Sequence, residues 1–204
     1  MLATIKKQLK NYNSQLDNSV INDKQSSASV LLLFHGDPSS PQIILTRRAT
    51  HLYSHAGEVA FPGGKKESLD DDLLATALRE TEEEIGLTPS KIKLLGTLPD
   101  DSPLIGKVRV TPFMGWVDSP FSLNANPSEI ASIFHLPLHF LLDINHYQYF
   151  WLVEGKIQLP CVLYKDYKIW GFTLKVMVDM LNSTLDAQIE LRYPSLKQLK
   201  TLGY

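Results

Sequence analysis

The residues best suited to chemistry lie between Phe61 and Leu87, in FPGGKKESLDDDLLATALRETEEEIGL. Two adjacent glycines, Gly63 and Gly64, precede a segment that ends in Arg79, Glu80, Glu82, Glu83 and Glu84. At about 100° per residue, a helix from Asp72 to Gly86 places Leu74, Leu78, Thr81 and Ile85 within an arc of roughly 60°. Glu80, Glu83 and Glu84 fall on the other side of that helix, clustered at spacings of three and four. Like charges at these spacings repel, and the C-terminal end of a helix disfavours anions. The cluster is either a solvated acidic face or a set of carboxylates compensated by a cation. Oxygen donors without a thiolate suit a hard divalent ion, Mg²⁺ or Mn²⁺. Arg79 is placed to orient a neighbouring carboxylate by bidentate pairing. The FPGG turn leaves backbone amides and carbonyls at Gly63 and Gly64 open to close approach by a ligand. A divalent ion, carboxylates to activate water and an open backbone loop are the ingredients for hydrolysing a phosphoanhydride.

These residues need a scaffold, and the chain has the makings of one. It has 204 residues, 44% of them hydrophobic and 21% charged, which suits one globular domain with a core. A net charge of −2 gives no global attraction to nucleic acid or to an anionic membrane. The one cysteine, Cys161, excludes an intrachain disulfide and a cysteine metal cage. No apolar run reaches the roughly 20 residues that span a bilayer. The N-terminus lacks the pattern of a secretory signal, and the expected location is the cytoplasm.

Hydrophobic periodicity gives an N-terminal helix over about 2–16, with Leu2, Ile5, Leu9 and Tyr12 on one face, followed by a polar linker over 17–29. VLLLFHG and IILTRR flank the turn-like DPSSPQ and predict a strand pair. KIKLLGTL and KVRVTPFMGWV predict two further strands. IASIFHLPLHFLLD is apolar at helical spacing and broken by Pro137, which predicts short helical pieces. YQYFWLV and QLPCVLY predict a hairpin around Glu154 and Gly155, and GFTLKVMVDMLNS a helix. Strands mixed with helices argue for an α/β or α+β sandwich.

The stretch from Gly64 to Leu87 resembles the Nudix box: a glycine, five spacers, an acid, seven spacers, then Arg-Glu-apolar-x-Glu-Glu-x-Gly-apolar. Arg79 to Leu87 fits the second half, with Thr81 a weak apolar match. In the first half the acid falls on Asp70 counting from Gly64, and on Asp71 counting back from Arg79. One extra loop residue accounts for the difference. The preceding segment LTRRATHLYSHAGEVAFPGGK is similar to the signature of the coenzyme A diphosphatase branch, through Leu45, Thr46, Arg48, Leu52, His55, Gly57 and Phe61 to Gly64. Ala49 and Tyr53 depart from it.

The resemblance implies an α/β/α sandwich with a mixed sheet, with residues 29–204 as the Nudix domain and residues 1–28 as a helix and linker before it. It implies a Nudix diphosphatase that cuts coenzyme A or acyl-coenzyme A into 3′,5′-ADP and 4′-phosphopantetheine. The alternatives are another nucleoside diphosphate derivative as substrate (ADP-ribose, a dinucleotide or a nucleoside triphosphate) and a non-catalytic regulator of the same fold. Carried over by position, Glu80, Glu83, Glu84 and the Gly64 carbonyl would hold Mg²⁺ or Mn²⁺. Glu80 or Glu83 would act as base, Arg79 would orient Glu80, and Glu129 is the alternative base on a later loop. Strand alternation lets one of Arg47 and Arg48 face the site, and Arg48 is the candidate for a substrate phosphate. His51 and His55 either hydrogen-bond around the FPGG turn or touch a phosphate. The expected partner is a small molecule, not nucleic acid or membrane, and the expected assembly a monomer or homodimer.

Overall fold

The computed structural model describes residues 1–15, 26–104, 108–152, 155–195 and 198–199. A helix α1 (Leu2–Gln15) is followed by strands β1 (Ser26–Asp37), β2 (Ser40–Arg48), β3 (Val59–Ala60) and β4 (Gly63–Lys65). Helix α2 (Leu73–Ile85) comes next, then β5 (Ile92–Thr97), β6 (Arg109–Val117) and β7 (Ile130–Pro137). The chain continues through β8 (Tyr147–Leu152), β9 (Ile157–Tyr164) and β10 (Tyr167–Trp170) into helix α3 (Gly171–Leu185).

The larger sheet has seven strands, ordered β3-β2-β1-β6-β5, with β4 also on β1 and β7 on β2. β1 and β6 run parallel, whereas the other pairings are antiparallel, so the sheet is mixed. Along β1 the alternation of apolar side chains feeds two faces. Leu31 and Leu33 pack with Ala77 and Ile85 of α2. Leu32 and Phe34 join Leu2, Ile5 and Leu9 of α1 and Leu174, Met177 and Leu181 of α3. A strand buried on both faces reads as a continuous apolar run, and VLLLF is such a run. The architecture is thus a helix, a mixed sheet and two helices in layers, the α/β/α sandwich expected. A separate three-stranded sheet, β10-β9-β8, carries the hairpin predicted from YQYFWLV and QLPCVLY; its tip at residues 153–154 lies outside the described residues.

Two expectations are corrected here. IASIFHL forms strand β7, and only Leu138–Leu142 beyond Pro137 turns into a short 3₁₀ helix. β2 requires a partner along its outer edge, and β7 pairs with it from Gln42↔Pro137 to Arg48↔Ile130. This pairing sends Phe134 and Leu136 to the core beside α3 and Ile133 to the α2 side. Tertiary pairing outweighs a helical spacing that was only local. The second correction concerns α2. Its buried residues are Thr76, Ala77, Thr81, Glu84 and Ile85, while Leu74 and Leu78 are half-buried. The buried face is therefore rotated by roughly 50° from the apolar stripe, toward Ala77 and Glu84. Small side chains at Ala77 and Thr81 let the helix lie close to the sheet, and the glycine turn covers its flank.

The helix at the N-terminus belongs to the main core, since Ile5 and Leu9 are at most 1% exposed. Tyr12, the fourth residue of that predicted face, has its side chain outside the described residues. Ile5→Ala should leave a cavity against α3 and lower the unfolding free energy by about 2–4 kcal/mol. Urea denaturation followed by circular dichroism measures it; a loss under about 0.5 kcal/mol would mean that α1 contributes little to the core.

Candidate active site

Helix α2 begins where Asp72 caps it, its carboxylate accepting the Ala75 N–H at 2.8 Å. It ends at Gly86, whose φ of 70° suits a residue without a side chain. The loop before it is organised by Asp70, which is buried. Its carboxylate accepts the Glu67 N–H at 2.8 Å, the Thr76 hydroxyl at 2.9 Å, and Arg79 Nε and Nη2 at 2.9 and 3.0 Å. Arg79, followed by the Glu67 amide, holds the Asp70 carboxyl well below the usual carboxylate range. Asp71 is exposed. Of the two acids the sequence left open, Asp70 is the one that engages the helix.

Arg79, anchored in this way, reaches Glu80 Oε1 at 3.1 Å, Glu83 Oε2 at 3.0 Å and the Lys65 carbonyl at 3.3 Å. The expected orienting contact between Arg79 and Glu80 is present. The three glutamates nevertheless occupy different environments. Glu83 is exposed. Glu80 is half-buried and lies over the glycine turn, where a Cβ added at Gly64 would come within 2.3 Å of Glu80 Oε1. A side chain at position 64 would displace the Glu80 carboxylate from this place. Glu84 is 3% exposed, the reverse of its expected place on the face away from the core. Its carboxylate accepts the Gly63 N–H at 3.3 Å and stands 3.7 Å from Arg48 Nη1.

These partners are too few and too distant for a buried charge, and burial pushes the Glu84 carboxyl up to about 8. Burial also raises the Glu80 carboxyl, against the opposing pull of Arg79. The charge of Glu80 adds to the rise at Glu84, that of Glu83 to the rise at Glu80, and the charge of Glu129 raises both. Glu129 arrives on a turn tied to the end of α2, through Asn124 N–H to the Ile85 carbonyl at 2.8 Å and Asn126 N–H to the Glu84 carbonyl at 2.9 Å. The same turn meets β2, where Ala49 N–H donates to the Glu129 carbonyl at 2.7 Å.

The remaining candidates sort by distance from this cluster. Arg48 faces Glu84, whereas Arg47 turns away to Asp166 at 3.0 Å, as alternation along the strand requires. Arg48 Nε is buried without a hydrogen-bond partner. His51 lies 3.2 Å from the Ser128 carbonyl, and His55 lies 2.9 Å from Glu58; both are exposed on the loop between β2 and β3. His51 thus bonds to the later turn that carries Glu129 and His55 within its own loop; neither has a hydrogen bond to the glycine turn or to Glu80, Glu83 or Glu84.

Among the described residues, no three acids or histidines are arranged as a finished metal cage. Arg79 and Arg48 draw the carboxylates outward in two directions. The donor set still fits a hard divalent ion. It is all oxygen, it includes a buried carboxylate with incomplete compensation, and its glycine turn is shaped to the Glu80 carboxylate.

With this geometry in hand, the comparisons with known proteins converge. The NUDIX domain family matches residues 23–150. The chain is 38% identical over 161 residues to an uncharacterized Nudix hydrolase, NudL, of Photorhabdus laumondii, covering 77% of this chain and 84% of that protein. It is 39% identical over 140 residues to the NudL of Yersinia enterocolitica, covering 67% of this chain and 71% of that one. Among solved structures, a MutT/nudix family protein from Enterococcus faecalis superimposes with a TM-score of 0.51 at 16% identity, over 97% of this chain and 74% of that chain, a likeness of fold. The chain belongs to the Nudix family and is a Nudix hydrolase. Nudix hydrolases generally use divalent metal ions. No helix among the described residues is long and apolar enough to cross a membrane.

Glu84 generates a pH prediction. Its carboxyl titrates near 8 in the folded protein, above the ordinary value of 4.5. Between those values the folded state binds more protons than the unfolded one, so stability is highest at the acid end and falls as pH rises toward about 8. Glu84→Gln should flatten this slope and melt several degrees above the parent at pH 8 in chelator. Mg²⁺ should raise the parent's melting temperature more than the variant's. Parallel melting curves from pH 5 to 8 would refute the assignment.

Proposed function

We infer that this Nudix hydrolase cuts the diphosphate of coenzyme A or acyl-coenzyme A, releasing 3′,5′-ADP and (acyl-)4′-phosphopantetheine, with Mg²⁺ or Mn²⁺. The observation that carries the reading is the convergence of Glu80, Glu84 and the charge of Glu129 beside the Gly63–Gly64 turn, with Arg48 Nε facing inward unpaired. The choice of coenzyme A is supported by the residues leading into that turn. LTRRATHLYSHAGEVAFPGG forms the end of β2, the 49–58 loop and β3, and so borders the carboxylates.

Glu80, Glu84 and the Gly64 carbonyl would hold the divalent ion, with Glu83 completing the set from the solvent side. When bound there, the ion would offset diphosphate charge and help to activate water. The chain's own residues do the rest. A water oxygen bonds to phosphorus, the bridging P–O bond breaks, and a carboxylate takes the water's proton. Glu80 is favoured over Glu83 as that base, because it is half-buried against the glycine turn whereas Glu83 is exposed. Arg79, itself held by Asp70, orients the Glu80 carboxylate before the ion binds. Arg48, whose side chain is partly exposed, offers its guanidinium to a phosphate oxygen. Glu129, half-buried on its loop, is the alternative base.

Incubation with coenzyme A, ADP-ribose, a diadenosine polyphosphate and a nucleoside triphosphate, each with Mg²⁺ or Mn²⁺ and resolved by chromatography, tests the substrate. Appearance of 3′,5′-ADP is expected; cleavage of ADP-ribose with coenzyme A untouched would reject the branch. Glu80→Gln should lower kcat by about 10²–10⁴-fold with the fold intact, and Glu83→Gln separates the two bases. If Glu83→Gln carries the larger loss, the base is Glu83. Arg48→Ala should raise KM about tenfold, the size expected for one hydrogen bond to a charged group; an unchanged KM removes it from substrate binding.

A further inference from the structure

One buried polar group near the glycine turn has no role so far. Ser29, on β1, is 0% exposed, and its hydroxyl has no hydrogen-bond partner. It interrupts a strand whose following residues, Val30 to Phe34, are all apolar. Its direction is fixed twice. Along β1 it shares the alternation of Leu31 and Leu33, which pack against α2. Across the ladder it stands opposite Gly64, and directly opposed residues in antiparallel strands present their side chains to the same face. On that face, the place a Gly64 side chain would take is filled by the Glu80 carboxylate, 2.3 Å from the would-be Cβ. Ser29 therefore lies under α2, one strand from the point where Glu80 comes down on the sheet.

A buried hydroxyl without a partner is destabilising relative to an alanine methyl, because the hydroxyl has lost its water. In this arrangement Glu80 is held by Arg79 and the Ser29 hydroxyl has no partner. We propose that Ser29 is a positioning residue whose hydroxyl donates to the Glu80 carboxylate when Glu80 leaves Arg79 to hold the divalent ion. A rotation of the Glu80 side chain on the α2 face brings one carboxylate oxygen to the ion and the other toward Ser29. The hydroxyl then gains the acceptor it lacks, and the carboxylate is fixed from below as Arg79 releases it from the side. This role rests on the metal reading above.

The test is Mn²⁺ binding by isothermal titration calorimetry and by electron paramagnetic resonance, on the full chain without substrate, for the parent, Ser29→Ala and Ser29→Cys. In Ser29→Ala the Mn²⁺ Kd should rise about tenfold, the loss expected for a hydrogen bond to a charged acceptor. Its melting temperature in chelator should be equal to the parent's or higher. Ser29→Cys, close in shape and a weaker donor, should fall between the two in Kd. It also keeps the question decidable if the alanine variant is poorly folded. A parent that binds Mn²⁺ with the same Kd as both variants overturns the role of Ser29 alone. A parent that takes up no Mn²⁺ overturns the metal reading, and Ser29's role with it. A drop in the chelator melting temperature with Mn²⁺ affinity preserved makes Ser29 a packing residue and overturns the proposal.

Discussion

The bidentate contact between Asp70 and Arg79 is the constraint on which the site depends. Arg79 is the only guanidinium in α2, and it faces Glu80 and Glu83. A free arginine there would sample many rotamers and leave those acids to repel. Asp70 removes that freedom by accepting from Nε and Nη2 together, in a plane that fixes the fork. Asp70 is fixed in turn by the Glu67 amide and the Thr76 hydroxyl, so the loop before the helix and the first turn of the helix lock one another. Repulsion among the acids is thereby converted into orientation.

The second constraint is space. Gly64 admits the Glu80 carboxylate, and Gly63, with φ of 151°, lies where a Cβ would come within 2.3 Å of the Ser29 carbonyl. The turn is pressed between β1 and α2 and has room for backbone alone. This explains how Glu84, one turn further along the helix, can reach the Gly63 amide at all. It also explains why Glu84 is buried: the turn that supplies its hydrogen bond also shuts out water.

Much of this was legible in the residues, and the gaps have physical causes. The glycine pair, the helix and the contact of Arg79 with Glu80 follow from local spacing, because they lie within 25 residues of one another. The strand pair of VLLLFHG and IILTRR was readable for the same reason. What local spacing missed is set by distant partners. The segment 130–137 became β7 because β2, over 80 residues earlier, offered an edge. His35 and His135 stand 100 residues apart, yet β1 and β7 flank β2 and bring their rings into a hydrogen bond at 2.6 Å. The burial of Glu84 was misplaced because a helical wheel sees one covering surface, and α2 has two, the sheet and the glycine turn. Choosing Asp70 over Asp71 required knowing which acid the loop turns inward.

Glu129 joins the carboxylates through a requirement that has nothing to do with charge. The last carbonyls of any helix lack internal partners. In α2 the Glu82 carbonyl is taken by the Gly86 amide, while those of Glu84 and Ile85 are taken by Asn126 and Asn124 from a loop nearly 40 residues later. These backbone bonds dock that loop against the helix end whatever its side chains are. Glu129, within three residues of Asn126, is then held near Glu80 and Glu84, and its carbonyl is fastened to the Ala49 amide beside Arg48. The C-terminal end of α2, where anions are least welcome, is in this way the place where the fold gathers them. A cation bound there would relieve the helix dipole, the buried Glu84 and the charge of Glu129 together, which no single surface ion pair could do.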